Sequence, residues 1–316
     1  MSSETTSGLA IAAGIGMAVI WGISFLFTKQ TLDHTFPLQL LGFRFGSAAI
    51  LLSVLKLTGV IRVNLKGKPI SSLLLLALFQ PGLYFVGETW GVKWTSASEA
   101  GMVIALAPVA LAVMAAIFLK EKLNYKQMFS IAASVLGVLV IISAQGKLQF
   151  GEHLWGILAL LLAVLAAGAY SILARHSSKR FTPLEITFVM MWAGTVLFNV
   201  LGIGQSVFEG SLMDYLKPLQ VPSVLWATLY LGALSSVLAF FLSNYMFAAL
   251  PVSQTTPILN LITVVSVFSG VVFRGELFSW IHALGITLII LGVWGTNVFG
   301  RTPLAPLEAR LEVPGA

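Results

Sequence analysis

Long apolar runs alternate with short polar connectors along the whole chain. A membrane-spanning helix needs about 20 mostly apolar residues to cross the hydrocarbon core. Ten runs approach or exceed that length: 8–30, 37–57, 71–94, 95–118, 126–144, 154–177, 183–208, 222–250, 251–273 and 279–300. Because connectors such as Phe36-Pro37 and Thr182-Pro183 are short and turn-like, neighbouring helices must run antiparallel. The pattern predicts an all-α membrane protein with ten transmembrane helices.

The second half of the chain repeats the pattern of the first. Gly22 aligns with Gly168 at a separation of 146 residues, and Glu121 aligns with Glu276 at a separation of 155. Each half holds five predicted spans, and an odd number forces the halves to cross the membrane in opposite directions. We therefore expect two inverted five-helix repeats, an architecture that places a transporter's substrate site near the midplane. The expected units are a first repeat, a second repeat and a disordered tail: 1–150, 151–301 and 302–316.

Composition and charge fit a membrane protein. The chain is 58% hydrophobic and 9% charged, whereas soluble domains carry about 25% charged residues. The net charge of +6 does not indicate a nucleic-acid partner, because the basic residues are spread over short connectors. They fit the excess of Lys and Arg in cytoplasmic loops. With both termini in the cytoplasm, twelve basic residues fall inside and five outside, the five being Lys29, Lys93, Lys147, Lys217 and Arg274.

Catalytic and metal chemistry find no support in the sequence. There is no cysteine, and the four histidines are scattered near predicted span ends without metal-ligand spacing. No aspartate lies within a predicted span, so the residues of an intramembrane enzyme are missing. We expect no catalytic site, no metal and no cofactor. The first run is too long for a cleaved signal peptide and follows no basic segment, so we expect it to remain as a span.

The motifs of a known family occur in several spans. They are Ile20-Trp21-Gly22 with Ser24, Arg44-Phe45, the stretch WGVKWTSASEAGMVIALAPV from Trp90 to Val109, and Phe118 to Glu121, with a weaker copy from Ala248 to Glu276. With these motifs the chain resembles the drug/metabolite transporter superfamily, specifically its ten-span EamA-type branch. The resemblance implies a bacterial inner-membrane carrier that works by alternating access. It also implies export of amino acids or other small metabolites, without fixing the substrate.

The third span carries a polar stripe. Gln80, Tyr84 and Glu88 recur every four residues, which places them on one face of a helix. Pro81 in the same helix removes a backbone hydrogen bond and favours a kink. A polar stripe on an apolar span faces a cavity or another helix rather than lipid. Both interpretations stay open, a substrate cavity wall and a polar helix–helix contact.

Two charged residues lie clearly inside predicted spans, Arg44 and Glu88. A charge near the bilayer centre costs about 2.5–3.5 kcal/mol on insertion scales. Because the two residues lie at similar predicted depth, we expect them to be able to pair. Such a pair can be a structural clamp, an outer gate, or a site where Glu88 binds a coupling proton or a cation.

Other candidate substrate-binding residues come from the first, sixth, eighth and ninth spans. Trp21 and Ser24 share a helical face, and Tyr170 is the repeat counterpart of Ser24. Ser236 and Asn260 lie near mid-membrane in the second repeat. Their alternative role is helix packing, where each interhelical hydrogen bond contributes about 0.6 kcal/mol.

These features predict a secondary transporter that exports amino acids or related amines around a midplane cavity. The alternatives are a multidrug or organic-cation carrier, a channel and a lipid scramblase. The expected partners are a small-molecule substrate and the lipid bilayer, with no nucleic acid, in a monomer or homodimer. Gly285 and Gly292 in the last span suit close helix contact and are candidates to face a partner subunit.

Overall fold

The apolar runs fold into ten helices. The computed structural model describes residues 3–118, 123–143, 151–177, 180–210, 212–249 and 252–299, and these contain helices but no strand. The helices are α1 (Ser3–Leu32), α2 (Pro37–Leu57), α3 (Ser71–Trp94), α4 (Ala97–Phe118), α5 (Tyr125–Ser143), α6 (Glu152–Ser177), α7 (Pro183–Phe208), α8 (222–249), α9 (Val252–Arg274) and α10 (Trp280–Phe299). Within these residues, eight are long and apolar enough to cross a membrane, and α5 and α9 contain shorter apolar stretches. The predicted tail, 302–316, lies outside the described residues.

Local sequence signals set where helices begin. Pro37 and Pro183 each open a helix, at a position whose backbone N–H would have no partner within the helix. Ser96 and Glu99 form a capping box at the start of α4, in which the Ser96 hydroxyl accepts from the Glu99 amide at 3.0 Å and the Glu99 carboxylate accepts from the Ser96 amide at 3.2 Å. The connection between α3 and α4 is therefore only two residues long.

Helix packing follows the internal repeat. α2 packs on α7 and α5 packs on α10, so each of these pairs joins equivalent helices of the two halves. α1 packs on α9 just as its counterpart α6 packs on α4, and α1 packs on α8 as α6 packs on α3. This exchange of equivalent partners is the pattern of inverted repeats. Each of these pairs joins a helix of one half to a helix of the other, so all ten helices take part in the interface between the halves.

Glycines bring α5 and α10 into close contact. A Cβ on Gly137 would lie 2.6 Å from the carbonyl oxygen of Gly285, and one on Gly292 would lie 2.5 Å from the carbonyl oxygen of Ser130. The interpretation that Gly285 and Gly292 face a partner subunit is wrong, because both face α5 of the same chain. Only a glycine lets the two backbones approach this closely.

α3 and α8 depart from regular α-helix at equivalent positions. α3 contains a π-helical segment, Leu78–Leu83, and α8 contains another, Tyr230–Leu238. With the separation of 155 residues, Gln80 corresponds to Ser235 near the centre of each segment. π-Helical segments often accompany functional sites, and here both lie where the two repeats meet.

The backbone of α3 is not helical at Gln80, and this residue therefore leaves the predicted polar stripe. Its backbone has φ −144° and ψ 115°, which is extended rather than helical. Pro81 accounts for part of this change, since it lacks the N–H that a continuous helix would use. Tyr84 and Glu88 remain on one face of the regular segment Tyr84–Trp94, whereas the expected helical spacing from Gln80 to Tyr84 is wrong.

Candidate functional site

Arg44 is the centre of a polar cluster between the two repeats. It projects from α2 and its side chain is 3% exposed. Its Nε donates to Ser236 Oγ at 3.0 Å, and its Nη2 donates to Ser235 Oγ at 3.0 Å. Both serines lie in the π-helical segment of α8. The Arg44 guanidinium of the first repeat is thus hydrogen-bonded to the π-helical segment of the second repeat.

Glu88 faces the remaining side of the guanidinium. Its Oε2 lies 3.9 Å from Arg44 Nη1, and both side chains are 3% exposed. That distance makes an ion pair but is too long for a hydrogen bond. Among the described residues, Glu88 Oε2 has no hydrogen-bond partner. The Phe85 ring lies under the guanidinium, with Arg44 Cζ 4.3 Å from its centre, which adds a cation–π contact.

Trp21 joins α1 to the same π-helical segment of α8. Its Nε1 donates to the carbonyl oxygen of Ser235 at 3.0 Å, and its ring meets Phe240 edge-on at 5.2 Å. The Tyr230 hydroxyl donates to the carbonyl oxygen of Ile20 at 2.9 Å. α1 therefore contacts the start and the middle of the π-helical segment, and Trp21 approaches the Arg44 cluster through Ser235.

The other predicted residues stand around this cluster or apart from it. Tyr84 is half-buried, with its ring edge-on to Phe85 at 4.9 Å, and Gln80 is buried at the break of α3. Ser24 donates to the carbonyl oxygen of Trp21 at 2.6 Å, within its own helix. Tyr170 packs half-buried against the apolar cluster that contains Phe85. Asn260 is half-buried in α9 and is joined to Arg44 by none of the hydrogen bonds in the described part of the chain.

Phe85 is the contact that sequence reasoning missed, whereas Ser235 stands beside the predicted Ser236 in the centre of the eighth span. Both touch the guanidinium directly. The internal repeat carried a signal for Ser235, because it is the counterpart of Gln80. Phe85 adjoins Tyr84, but an apolar ring on an apolar span has no distinguishing pattern.

Charged side chains tie several helix ends together at one end of the bundle. Lys29 Nζ donates to the carbonyl oxygens of Val92 at 2.8 Å and Lys93 at 2.9 Å, at the C-terminus of α3. The Glu276 carboxylate accepts from the amides of Ala97 at 2.8 Å and Ser98 at 2.9 Å, at the N-terminus of α4. A cation at a helix C-terminus and an anion at a helix N-terminus both stabilise the helix by their interaction with its dipole.

One ion pair and one hydrogen-bonded contact add to this end. Arg274 Nη1 lies 3.0 Å from Asp33 Oδ2, and His153 Nε2 lies 3.1 Å from Glu99 Oε1. The contacts join α1 to the end of α9, and α4 to the start of α6. The polar groups at this end therefore link helices of both repeats.

The chain has two inverted repeats of apolar helices. Each repeat carries a π-helical segment close to the buried Arg44–Glu88 pair. These features define a membrane protein with several spans and the architecture of a transporter. The EamA-like transporter family model matches residues 8–143 and 154–298, which is most of each half. The chain belongs to this family and is a membrane transporter. The resemblance to the drug/metabolite transporter superfamily is thereby confirmed.

Relatives extend over most of the chain. It is 33% identical over 306 residues to the uncharacterized transporter YcxC of Bacillus subtilis, covering 97% of this chain and 96% of that protein. It is 31% identical over 214 residues to a Streptantibioticus cattleyicolor protein named "Probable terminal-alkyne amino-acid exporter", covering 68% of each. It is 24% identical over 292 residues to a Salmonella typhimurium protein named "Probable amino-acid metabolite efflux pump", covering 90% of this chain and 93% of that protein.

A solved crystal structure supports the fold. It matches with a TM-score of 0.65 at 21% identity, covering 92% of this chain and 98% of the other. At this identity the match shows the shared fold alone.

Proposed function

We propose that the protein is a secondary transporter of the bacterial inner membrane that exports amino acids or related amines. The observation that carries the proposal is the buried Arg44, which pairs with Glu88 of the first repeat and donates to Ser235 and Ser236 of the second. Ionisable residues inside a membrane domain mark substrate or ion pathways. The printed names of the Streptantibioticus and Salmonella relatives support the same substrate class.

The paired charges suit a zwitterion. In the proposed complex the substrate carboxylate binds the Arg44 guanidinium, and its ammonium binds Glu88 Oε2, the oxygen without a hydrogen-bond partner among the described residues. Arginine recognises carboxylates through its planar set of donors. Trp21 and Tyr84 pack on the apolar part of the substrate. The remaining proposed pocket residues are Ser24, Gln80, Tyr170, Ser236 and Asn260.

Access to this buried site requires the repeats, 1–150 and 151–301, to move against each other. The π-helical segments of α3 and α8 are places where these helices can bend. With both termini in the cytoplasm, the end tied by Lys29 and Glu276 faces outwards. Export then requires those contacts to open after substrate has entered from the cytoplasm.

Glu88 is either the gate partner of Arg44 or the carrier of a coupling proton. Glu88→Gln separates the two roles, because it keeps the shape and removes the titrating group. Transport by the variant that no longer depends on pH, with substrate binding retained, assigns proton coupling to Glu88. An undiminished pH dependence limits Glu88 to the gate.

An organic-cation carrier is the second candidate. It is favoured by Glu88 sharing a helical face with Tyr84, whose ring meets Phe85 edge-on, since aromatic rings and a carboxylate bind cations together. Such a substrate makes no use of Arg44. The chemical class of the bound ligand therefore distinguishes the two candidates.

A thermal-shift screen of the purified protein against amino acids, amines and cationic dyes tests the proposal. A ligand at a hundredfold excess over its Kd adds about 2.7 kcal/mol to the stability of the folded state. We expect stabilisation by zwitterionic amino acids, reduced in Tyr84→Ala and kept in Thr287→Ala, because Thr287 is exposed on α10 and its hydroxyl donates within its own helix. Stabilisation by cationic dyes but by no zwitterion overturns amino-acid export.

A further inference from the structure

Tyr215 fills a groove between α2 and α7. It lies in the loop between α7 and α8 and is 6% exposed. Its hydroxyl donates to Asn199 Oδ1 at 3.1 Å. The same hydroxyl oxygen lies 2.6 Å from where a Cβ on Gly42 would be and 3.0 Å from where one on Gly202 would be. The glycines leave space that the tyrosine occupies.

The internal repeat places a second groove at the opposite end of the same helix pair. With the separation of 146 residues, Asn199 corresponds to Ser53, Gly202 to Lys56, and Gly42 to Phe188. The second groove has a volume of about 370 Å³, and its lining residues are Ser53, Lys56, Leu57, Phe188 and Trp192. All five come from α2 and α7. The loop 58–70, whose residues are all described and which is the counterpart of the loop that holds Tyr215, contributes none of them.

The second groove opens towards the bilayer. Leu57 is 86% exposed, and Val54 on the flanking face of α2 is 50% exposed. Exposed apolar residues on membrane-spanning helices contact lipid. No side chain from the described loop 58–70 fills this groove, so it is open to a lipid of the bilayer.

The groove is cationic and aromatic. Lys56 is exposed, and its Nζ lies 5.0 Å from the centre of the Phe188 ring. Trp192 is 42% exposed, and its Nε1 donates to Ser53 Oγ at 3.2 Å. Lysine and tryptophan together at a span end are typical of the headgroup level of a membrane. Glu185 does not cancel the Lys56 charge, because its carboxylate is paired with Lys68 at 2.6 Å.

We propose that an anionic phospholipid binds this groove, with its phosphate at Lys56 and an acyl chain along Phe188 and Trp192. The lipid there takes the place that Tyr215 has at the other end of α2 and α7. The Lys- and Arg-rich loops at this end assign the lipid to the cytoplasmic leaflet. Because α2 also carries Arg44, the bound lipid supports the helix pair that holds the central cluster.

Native mass spectrometry of the full chain in detergent tests the proposal. Phosphatidylglycerol and phosphatidylcholine are added separately, and the lipid-bound fraction is measured for wild type, Lys56→Gln and Lys126→Gln. Lys126 is a matched control: it is also an exposed lysine at a helix end, 5.4 Å from the Phe299 ring, but it is not among the residues that line the second groove. A lysine near an anionic surface contributes about 1 kcal/mol, so we expect Lys56→Gln to bind phosphatidylglycerol about fivefold more weakly. Lys126→Gln should bind it as wild type does.

A second variant separates shape from charge. Ser53→Tyr fills the groove with a tyrosine and leaves Lys56 in place, so it should lose the bound phosphatidylglycerol as well. Equal binding of phosphatidylcholine and phosphatidylglycerol overturns the proposal, as does an equal loss in Lys56→Gln and Lys126→Gln. A dimer that Ser53→Tyr dissociates overturns it too, because a second copy of the chain would then cover the groove.

Discussion

Replacing Arg44 by methionine isolates the energy of the central ion pair. Methionine is the residue that the second repeat carries at the equivalent position, Met190, and its unbranched chain fits varied packing. The separation of 3.9 Å corresponds to about 4 kcal/mol at an effective dielectric constant of about 20. Arg44→Met also removes the hydrogen bonds to two serines and leaves Glu88 buried without a cation. Breaking a buried ion pair costs about 3–5 kcal/mol, and we expect a loss of that size in the free energy of unfolding.

A double-mutant cycle with Glu88→Gln supplies the test. The double variant buries no charge, so it should be more stable than Arg44→Met alone. The free energies of unfolding come from SDS titration in detergent micelles, followed by tryptophan fluorescence at fixed pH. Ser24→Ala serves as the control, because its hydroxyl bonds only within α1.

Additivity would refute this reasoning. Independent sites give free-energy changes that add within about 0.5 kcal/mol. If the double variant loses the sum of the two single losses, Arg44 and Glu88 do not stabilise each other. A wild-type melting curve for Arg44→Met would refute it more directly, since it would show that the cluster contributes nothing to the contact between the repeats.

Three further predictions concern helix contacts. Gly137→Ala should lower the free energy of unfolding by about 1–3 kcal/mol, because the added methyl group overpacks against α10. Gly204→Ala is the control, since a Cβ there meets nothing within 4 Å, and it should raise the free energy of unfolding by about 0.5–1 kcal/mol. The same SDS titration measures both. Equal effects of the two would contradict the close packing. Glu276→Gln should lower the melting temperature by weakening the cap of α4, with a loss of about 1 kcal/mol, and an unchanged melting temperature would remove its role. Lys29→Met should increase hydrogen exchange at the end of α3, because three carbonyl oxygens lose their donor; unchanged exchange would show that water replaces it.

The fold was largely readable from the sequence because its signals are long and periodic. Apolar runs of transmembrane length set the helix positions, and residues such as Pro37 and Pro183 set their starts. The repeat was visible through pairs such as Gly22 and Gly168. These features reflect the length of a span and the chemistry of a helix start, which act locally and so appear in local sequence.

The site was readable only in part, because it depends on contacts between distant helices. Arg44 and Glu88 stood out since charges in spans are rare, and the structure places them side by side. Pro81 was the one sequence signal for the non-helical backbone at Gln80. The π-helical segment of α8 around Ser235 contains no proline. Periodicity also could not separate Ser24, which bonds its own helix, from a serine that reaches across an interface.

Counterflow of an amino acid in proteoliposomes tests the central claim most directly. The purified protein is reconstituted, the vesicles are loaded with an unlabelled amino acid identified by the thermal-shift screen, and uptake of the labelled form is followed. Alternating access predicts saturable uptake that the internal amino acid accelerates, because the loaded site returns faster than the empty one. Uptake that rises linearly with concentration and ignores the internal amino acid would contradict a carrier and indicate a channel.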